Sequence, residues 1–283
     1  MNTERISSAT GNRVILSPAH FQRVARVLHR ESGIAMPDTK ISLANSRLAK
    51  RLRALDLHDF DDYCRLVESD AGEDERAQML AALTTNVTRF FREPHHFDDL
   101  KSGVLDPLIA KAKSGARVRL WSAGCSSGEE PYSMAITLLS LLPDAARLDV
   151  KILATDIDPN VLAHAKAATY PAKSVAEVPD PVRKRYFTSM GDNVQVSDAL
   201  SQLITFRKLN LIHPWPFKGS FDAIFCRNVV IYFDDATQRT LWGNFARFLK
   251  PGGRLYIGHS ERVTGDATST LKNVGLTTYQ KSA

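Results

Sequence analysis

The fold of this chain is decided by residues 118–142, which read VRLWSAGCSSGEEPYSMAITLLSLL. A short β-rich run, Val118–Trp121, leads into small residues with two glycines and then into an apolar helical segment, Met134–Leu142. Glycines let backbone N–H groups approach a ligand closely, and a helix start offers partial positive charge. Pro131 suits the first helical turn, where its N–H would be unpaired anyway. The pattern predicts a strand, a loop and a helix; the loop either faces a ligand or is a plain turn, and both explain the glycines equally well.

Four more β-rich runs follow this segment, and helical patterns separate them. They span Val150–Ala154, Leu203–Phe206, Phe221–Cys226 and Arg254–Ile257. Strands that alternate with helices predict a parallel sheet flanked by helices, so the expected fold class is α/β. A helix that starts at Asp234 meets Pro251-Gly252-Gly253, which stops it and turns the chain into the last run.

The chain divides into a helical part and this α/β part. Apolar residues recur at helical spacing before residue 84, as at Phe21 and Val24. We therefore predict an N-terminal helical domain over residues 15–84 and a larger domain over residues 85–283. Residues 170–203 break the alternation of strands and helices with several prolines and an alternating segment, which predicts an inserted antiparallel element.

Composition and charge are those of an ordinary globular chain. It has 283 residues, 43% hydrophobic and 24% charged, and a net charge of +6. The longest apolar stretch, Met134–Leu142, is far shorter than the ~18 residues that span a bilayer. The first residues, Met1–Arg5, lack the apolar segment of a secretory signal, so we expect a cytoplasmic protein. The three cysteines form no CxxC pair, and neither a disulfide framework nor a cysteine zinc site is predicted.

Acidic residues follow the second predicted strand. An acid at this edge of a nucleotide-binding sheet holds a ribose diol. Asp156 is the better candidate, because Asp158 precedes Pro159 and can cap the next helix. The spacing from Gly124 to Asp156 is longer than the usual ~20 residues, which weighs slightly against this role. A dinucleotide enzyme is disfavoured, because the sequence contains neither GxGxxG nor a Walker motif.

Four separated motifs make a family resemblance specific. They are residues 83–93 (LTTNVTRFFRE), the loop at residues 121–133, residues 221–233 (FDAIFCRNVVIYF) and residues 258–261 (GHSE). In kind and order they resemble the chemotaxis receptor glutamate methyltransferases, CheR, and the Pro-Gly-Gly segment resembles the one before the fifth strand of Rossmann-like methyltransferases. The resemblance implies a small all-α N-terminal domain followed by a Rossmann-like class I methyltransferase domain with a small antiparallel β-subdomain insertion.

The resemblance also implies a pocket for S-adenosyl-L-methionine, which leaves as S-adenosyl-L-homocysteine. In this pocket Arg92 would reach the carboxylate end of the donor, Glu130 its amino group and Asp156 its ribose. Tyr232 would lie beside the sulfonium and the incoming carboxylate. The implied cofactor-binding residues are Asn86, Thr88, Arg92, Gly124, Glu130, Asp156, Asn210, Leu211, Arg227 and Asn228, and the implied catalytic residues are Arg92 and Tyr232.

A glutamate acceptor needs no general base, because its pKa of about 4.3 leaves it ionised at neutral pH. Holding its oxygen about 3 to 3.5 Å from the donor methyl can supply most of the acceleration. We therefore expect Arg92 and Tyr232 to position the reactants. Asn86 and Thr88 could instead merely cap the following turn, and Tyr232 could be a core aromatic beside packed Ile231 and Phe233.

Two adjacent histidines follow the first motif. His95 and His96 have no cysteine nearby and no HExxH spacing. Such pairs lie on a surface or behind a site more often than they bind a metal. No metal is predicted.

The helical domain carries a basic run, residues 47–53, before a more acidic stretch. Arg47 and Arg51 share one helix face, separate from the apolar stripe, so this face is free to meet an acidic partner or simply solvent. The resemblance implies an acidic partner: the glutamate-rich methylation helices of methyl-accepting chemoreceptors. The implied contacts are Arg47, Arg51 and Arg53.

The inserted element corresponds to the family's β-subdomain, which in some members grips a tether peptide at the receptor's carboxyl terminus. Those members carry a Gly-x-Gly insertion in its turn. Here the turn, residues 189–194, reads SMGDNV with a single glycine. We expect this protein to dock directly on the methylation region without the tether.

Three functions are compatible with the sequence. Methylation of receptor glutamates comes first. Nucleic-acid methylation draws on the positive net charge, but the sequence lacks basic residues interleaved with aromatics for stacking bases. A catalytically silent S-adenosylmethionine sensor or adaptor is disfavoured because Arg92, Tyr232, Glu130 and Asp156 are all present. We expect no nucleic-acid partner, no membrane insertion and a monomer, since no coiled-coil periodicity occurs.

Overall fold

Residues 14–283 are described by the structure, a computed structural model, and the prediction made for Met1–Arg5 lies outside them. Residues 14–31 and 35–83 form one compact unit, and residues 32–34 and 84–283 form the other. Across the described residues, no helix is both long and apolar enough to cross a bilayer.

Four α-helices build the first unit: α1 (Pro18–Ser32), α2 (Ile41–Ala54), α3 (Phe60–Glu68) and α4 (Glu73–Leu83). The apolar stripe of α2, formed by Ala44, Leu48 and Leu52, is buried as its helical spacing predicts. Asp59 caps α3, because its carboxylate accepts the N–H of Asp62 at 2.8 Å. The predicted all-helical character of this part is confirmed.

The second unit contains ten strands and the remaining helices. Its strands are β1 (Val118–Ala123), β2 (Val150–Asp156), β3 (Thr169–Pro171), β4 (Phe187–Met190), β5 (Asn193–Val196), β6 (Ile204–Lys208), β7 (Phe221–Cys226), β8 (Leu249–Ile257), β9 (Leu271–Gly275) and β10 (Thr278–Lys281). Its helices are α5 (His95–Asp99), α6 (Asp106–Lys113), α7 (Glu129–Leu141), α8 (Pro159–Ala167), α9 (Asp180–Tyr186), α10 (Asp198–Ser201) and α11 (Asp235–Phe248), with a π-helical stretch, Leu100–Leu105, between α5 and α6.

The main sheet has seven strands in the order β6-β2-β1-β7-β8-β10-β9. The first five strands in this order are parallel, and helices cover the crossovers that parallel pairing requires. All five predicted strands are present, which confirms the α/β class. Their carboxyl ends meet at one edge, and β1 pairs with β2 on one side and β7 on the other, so a crevice opens there in sheets of this kind.

The sheet is mixed, and here the prediction of a parallel sheet needs correction. Strands β9 and β10 form a hairpin, and β10 adds antiparallel to β8. Within β9 only Leu271 is buried. The sequence of β9 therefore lacks the apolar alternation that signals a half-buried strand. The hairpin forms because β10 pairs with β8, and β9 then pairs with β10.

Strand β8 begins at Leu249, earlier than predicted. Its pairing with β7 shifts register between Phe221 and Ala223, so Pro251-Gly252-Gly253 lies at an irregularity within the strand. A Cβ on the second of these glycines would lie 3.0 Å from the carbonyl oxygen of Asp222. Close backbone approach, in addition to stopping the helix, explains that glycine.

Strand β1 shows how the sheet sorts its side chains. Trp121 packs on one face, with ring centroids 4.8 Å from Trp215 and 5.6 Å from Phe245. Leu120 belongs to the core cluster on the other face. The period of two in a strand puts Ser122 on the same side as Leu120, where α7 begins.

The predicted insertion is a separate three-stranded antiparallel sheet in the order β3-β5-β4. Its strands and α9 lie within residues 169–196, close to the predicted range of 170–203. The predicted antiparallel element is confirmed.

All three cysteines, Cys64, Cys125 and Cys226, are buried free thiols. Burial raises the pKa of each thiol, in Cys64 to about 11. Cys64 lies in the first unit, and the other two lie in the second.

Candidate functional site

The loop after β1 turns on two glycines with left-handed backbones. Gly124 has φ +77° and Gly128 has φ +100°. A Cβ on Gly124 would lie 2.4 Å from Val229 Cγ2, and one on Gly128 would lie 2.8 Å from the Tyr170 hydroxyl. Turn conformation and close packing thus both require glycine here, and a cofactor role for Gly124 stays a prediction.

Backbone amides of this loop are largely used within the protein. The N–H groups of Gly124 and Cys125 both donate to the carbonyl oxygen of Thr155, at 2.8 and 2.9 Å. The N–H of Ser126 donates to Asp156 Oδ2 at 2.8 Å. A loop whose amides are engaged in this way does not make a pyrophosphate cradle, so acidic side chains nearby are better placed to recognise a ligand.

Asp156 ends β2 and is buried, with 8% of its surface exposed. Its Oδ2 accepts the N–H of Ser126, and its Oδ1 accepts the N–H of Asp158 at 3.0 Å. Burial raises the pKa of Asp156, while these backbone bonds act to lower it. A carboxylate has about four acceptor positions, so each oxygen keeps capacity for a hydroxyl donor.

Asp158 has the capping role that its sequence context predicts. Its carboxylate accepts the N–H of Asn160 at 2.8 Å, at the start of α8. It also accepts a bond from Asn86 Nδ2 at 3.2 Å. Asp158 therefore braces the site, and Asp156 is the acid with oxygens left for a ligand.

Glu130 lies in the first turn of α7 and is buried. Ser122 Oγ donates to its Oε1 at 2.7 Å, and Arg227 Nη1 lies 3.2 Å from its Oε2. Burial raises the pKa of Glu130, and the Arg227 charge opposes that rise. The carboxylate keeps acceptor positions for an ammonium group.

Arg227 joins two acids that come from distant parts of the sequence. Its side chain is 2% exposed and lies 3.2 Å from Glu93 Oε2 as well as from Glu130. It also donates to the carbonyl oxygen of Arg92. The predicted residues Arg92, Glu130 and Arg227 are thus brought together, with the Arg227 guanidinium acting inside the protein network.

Glu93 belongs to this network, and the sequence reasoning assigned it no role. Burial acts to raise the pKa of Glu93, but Arg227, His259 and His96 outweigh it and hold the pKa below its usual value. The position directly after Arg92 in the linker motif was the available signal.

The linker motif is fixed to the second unit at several points. Ser126 Oγ donates to the carbonyl oxygen of Asn86 at 3.1 Å, and the N–H of Phe91 donates to Ser133 Oγ at 2.9 Å. Phe91 has φ +52° and Glu93 has φ +54°. Such conformations cost free energy in residues other than glycine, and surrounding contacts sustain them.

Arg92 and Thr88 lie half-buried in the same motif. Arg92 Nη1 donates to the carbonyl oxygen of Val87 at 2.9 Å. The guanidinium carries five N–H donors, so several remain for a carboxylate.

Asn210 and Leu211 follow β6 at the same edge of the sheet. The N–H of Leu209 donates to the carbonyl oxygen of Asp156 at 3.0 Å, which brings this segment next to the acid. Asn210 Oδ1 accepts the N–H of Ile212 at 3.2 Å, and Leu211 is buried. The structure therefore places the backbone of this segment next to that of Asp156, and a contact of Asn210 and Leu211 with adenine stays a prediction.

Asn228 and Tyr232 lie in the turn after β7. Asn228 has φ +58°, and its buried Oδ1 accepts no hydrogen bond from any of residues 14–283. Tyr232 is 36% exposed and Ile231 is 43% exposed. The expectation that Ile231 is packed is wrong, because the short 3₁₀ turn, Val230–Tyr232, buries only Val230 of its three residues.

These groups fit a ligand that carries a ribose, an ammonium and a carboxylate. Asp156 and Glu130 keep acceptor positions, Arg92 keeps donors, and the orphaned Asn228 Oδ1 accounts for one more polar contact. An unpaired buried polar atom costs free energy, so a ligand donor at this oxygen would remove a penalty.

A metal at the histidine pair fits less well. Potential ligand atoms of Glu93, His95 and His96 lie within 4.8 Å of one another. Yet Glu93 pairs with Arg227, and His96 Nε2 lies 2.9 Å from Thr277 Oγ1. A divalent cation would therefore compete with the Arg227 guanidinium for Glu93 and with Thr277 for one ring nitrogen of His96.

The basic residues of the helical unit differ in how far their guanidinium groups are used in hydrogen bonds within the unit. Arg51 donates two hydrogen bonds to Glu75, at 3.0 and 2.6 Å, and Arg47 Nη1 donates to the carbonyl oxygen of Ala82. Arg53 is exposed and forms no ion pair within residues 14–283. The predicted free basic face is thus only partly free, because the core acid Glu75 takes the Arg51 charge.

Comparison with known proteins identifies the two domains of the chain. Residues 86–280 match the family described as "CheR methyltransferase, SAM binding domain", and residues 19–84 match "CheR methyltransferase, all-alpha domain".

Relatives from several bacteria are similar over nearly the whole chain. A protein of Rhizobium etli named "Probable chemotaxis protein methyltransferase" is 52% identical over 258 residues, covering 90% of this chain and 96% of the relative. "Chemotaxis protein methyltransferase 2" of Pseudomonas aeruginosa is 40% identical over 269 residues, covering 92% and 91%. "Chemotaxis protein methyltransferase" of Escherichia coli is 40% identical over 257 residues, covering 88% and 86%. Both domains match CheR family models, and the relatives are matched along most of their length. This chain therefore belongs to the CheR methyltransferase family.

Proposed function

We propose that this protein transfers the methyl group of S-adenosylmethionine to glutamate side chains of chemoreceptors and forms methyl esters. The observation that carries the proposal is the pair of buried carboxylates, Asp156 and Glu130, whose oxygens keep acceptor positions at the carboxyl edge of the sheet. The names of the relatives, which are chemotaxis protein methyltransferases, support the substrate class.

The donor would be held by groups of complementary chemistry. Asp156 accepts the ribose hydroxyls, Glu130 accepts the methionine ammonium, and Arg92 donates to the methionine carboxylate. Asn228 supplies its unpaired Oδ1. The other proposed cofactor contacts are Thr88, Asn86, Gly124, Asn210, Leu211 and Arg227.

When bound, S-adenosylmethionine supplies an electrophilic methyl group on a positively charged sulfur. The acceptor glutamate is already ionised at neutral pH, so the protein needs to place it rather than deprotonate it. Tyr232 is partly exposed at the turn after β7, where its ring and hydroxyl can contact an incoming side chain. Arg92 and Tyr232 are therefore proposed to position the two reactants.

Receptor contact is proposed for the basic residues of α2. Arg53 is exposed and pairs with no acid among residues 14–283, so it is the strongest of the three candidates. Arg47 and Arg51 are half-buried and engaged within the helical unit, so any contribution they make is through a partly screened charge. The single glycine in the β4–β5 turn supports docking without a tether peptide.

The test is incubation with tritiated S-adenosylmethionine and a panel of chemoreceptor cytoplasmic fragments, followed by base treatment. Glutamyl methyl esters release tritiated methanol, whereas N-methyl groups survive. We expect methanol release with wild type and at least about 100-fold less with Arg92→Ala, because about 2.7 kcal/mol of placement is lost.

Arg89→Ala is the matched control, because Arg89 lies in the same linker, is exposed and pairs with Glu177. It should retain activity, and all variants should melt like wild type. Labelled RNA instead of receptor would overturn the proposal in favour of nucleic-acid methylation. Tight S-adenosylhomocysteine binding with no labelled fragment would favour the sensor or adaptor.

A further inference from the structure

Glu261 lies after β8, in the motif Gly258-His259-Ser260-Glu261, and its carboxylate is buried beneath the turn that follows β7. Its Oε1 accepts the N–H groups of Val229, Val230 and Ile231, at 3.0, 2.7 and 3.2 Å. Three consecutive amides of one turn thus point at a single oxygen.

The other oxygen closes the arrangement. Glu261 Oε2 accepts the N–H of Asn228 at 3.0 Å and that of Gly258 at 2.5 Å. A Cβ on Gly258 would lie 2.7 Å from the Asn228 nitrogen, so a glycine is needed for the two segments to approach. In all, five backbone amides from two segments converge on one carboxylate.

This carboxylate compensates for an otherwise unfavourable turn. Asn228 has a left-handed backbone, which costs free energy, and the amides after it would be left without protein acceptors if the carboxylate were removed. Burial raises the pKa of Glu261, whereas the backbone bonds act to lower it and favour the charged form. The turn and the carboxylate therefore depend on each other.

The turn also carries the groups that the proposed reaction needs. Asn228 lies at its start, and no described residue donates a hydrogen bond to its Oδ1. Tyr232 lies at its end, where its N–H donates to the carbonyl oxygen of Val229 at 3.3 Å. A shift of the amides at residues 228–231 would move both side chains.

We propose that Glu261 is a positioning residue of the methyltransferase site, which sets the placement of Asn228 and Tyr232 through the turn backbone. The inference rests on the proposed function and deepens it. Glu261 acts through the five backbone amides that it holds and does not itself touch the reactants.

The test uses the full chain with Glu261→Gln, which keeps the side-chain shape but replaces one acceptor oxygen with an NH₂ group. Two or three amides then face a donor instead of an acceptor. We expect S-adenosylhomocysteine affinity to fall at least tenfold and kcat for the receptor fragment to fall about 30- to 100-fold, measured on protein that remains folded by circular dichroism. Glu261→Asp, which keeps the charge, should recover part of the affinity.

Glu177→Gln is the matched control, because it makes the same change at an exposed glutamate of the same unit. It should leave affinity, kcat and melting temperature unchanged. If Glu261→Gln melts earlier but binds and turns over like wild type, Glu261 is only structural and the inference is wrong.

The two proposals can fail separately. Wild type that binds S-adenosylhomocysteine but methylates no receptor fragment overturns the proposed function, and the affinity ratio between Glu261→Gln and wild type still decides the inference. If Glu261→Gln does not fold, the same affinity ratio for Glu261→Asp decides it: a loss of at least threefold supports positioning, and an unchanged value refutes it.

Discussion

Buried carboxylates in the two units of this chain are completed in different ways. In the helical unit, Glu75 accepts two bonds from Arg51 and one, at 2.8 Å, from the Tyr63 hydroxyl. In the methyltransferase unit, Asp156 accepts hydrogen bonds from backbone amides, those of Ser126 and Asp158 among them. The first acid is neutralised by its own unit, while the second stays open to a donor.

The difference teaches that burial alone does not identify a ligand site. A buried acid paired with a guanidinium in bidentate geometry has its charge and most of its acceptor capacity used. Asp156, which is held by backbone amides, keeps spare lone pairs, and a hydroxyl or ammonium ligand requires such acceptors. For this pair of acids, the partners therefore distinguish Glu75, whose acceptor positions are largely used, from Asp156, which is proposed to bind the cofactor.

The largest effect on stability is expected for Glu75→Ala. A small effect would contradict the view that Glu75 is a structural acid. Removing Glu75 leaves the Arg51 guanidinium and the Tyr63 hydroxyl without their partner, so we expect a loss of about 3 kcal/mol in the free energy of unfolding. Urea denaturation measures the loss, and calorimetry should show unchanged S-adenosylhomocysteine affinity. Glu73→Ala, at an exposed acid of the same helix, is the control. Weakened cofactor binding in the Glu75 variant would contradict the assignment.

Asp156→Ala should act mainly on binding. Loss of the proposed ribose acceptors is expected to weaken the binding of S-adenosylhomocysteine by at least about 30-fold, or about 2 kcal/mol. Isothermal calorimetry measures this, with Asp192→Ala as a control at an exposed aspartate of the same unit. Equal affinities in the two variants would remove Asp156 from the site.

His96, which lies beside Glu93, should make the free energy of unfolding depend on pH. Burial and then the Arg227 charge lower the pKa of His96 to about 3, well below its ordinary 6.5. The unfolded chain therefore takes up a proton between these values that the folded chain refuses, so stability contributed by neutral His96 is lost as pH falls from 6.5 toward 3. The slope from this group is up to about 1.4 kcal/mol per pH unit.

Urea unfolding at about pH 6 and about pH 5 measures that slope. His96→Asn should reduce the loss between the two values by about 1 kcal/mol relative to wild type. Burial also raises the pKa of Glu130 and Asp156, which acts in the opposite sense, so the comparison of variant with wild type is the relevant quantity. Identical slopes would show that His96 takes up its proton in the folded protein over the same pH range as in the unfolded chain, which would contradict the lowered pKa.

The smallest effect is expected at the exposed end of the basic run. Arg53→Ala should weaken capture of a chemoreceptor fragment about threefold to tenfold, or about 1 kcal/mol, and leave stability and cofactor affinity unchanged. Surface plasmon resonance at two salt concentrations measures this, and Arg30→Ala is the matched exposed control. Loss of cofactor affinity in Arg53→Ala would refute a substrate role.

The sequence predicted the strongly patterned part of the fold. Apolar runs and helical spacing identified the five parallel strands and the helical unit, because these elements bury continuous or periodic apolar faces. The hairpin of β9 and β10 was not predicted, because only one residue of β9 is buried and because the hairpin joins the sheet through the pairing of β10 with β8. Tertiary pairing supplied what local pattern lacked.

The residues of the candidate site stay a prediction, whereas the structure shows connections among them that the sequence did not predict. The motifs pointed to Asp156, Glu130 and Arg92 as ligand-facing groups. Spacing along the chain did not reveal that Arg227 bridges Glu93 and Glu130, because those contacts join residues more than 90 positions apart. Nor did the basic run reveal that Glu75, a core acid, takes up the charge of Arg51.

The buried thiols have a practical consequence. Because Cys64 lies in one unit while Cys125 and Cys226 lie in the other, an alkylating reagent such as iodoacetamide should leave the native protein untouched and modify each thiol only when its own unit opens. Mass spectrometry of the tagged peptides would then time the opening of the two units independently, in one sample of unaltered sequence.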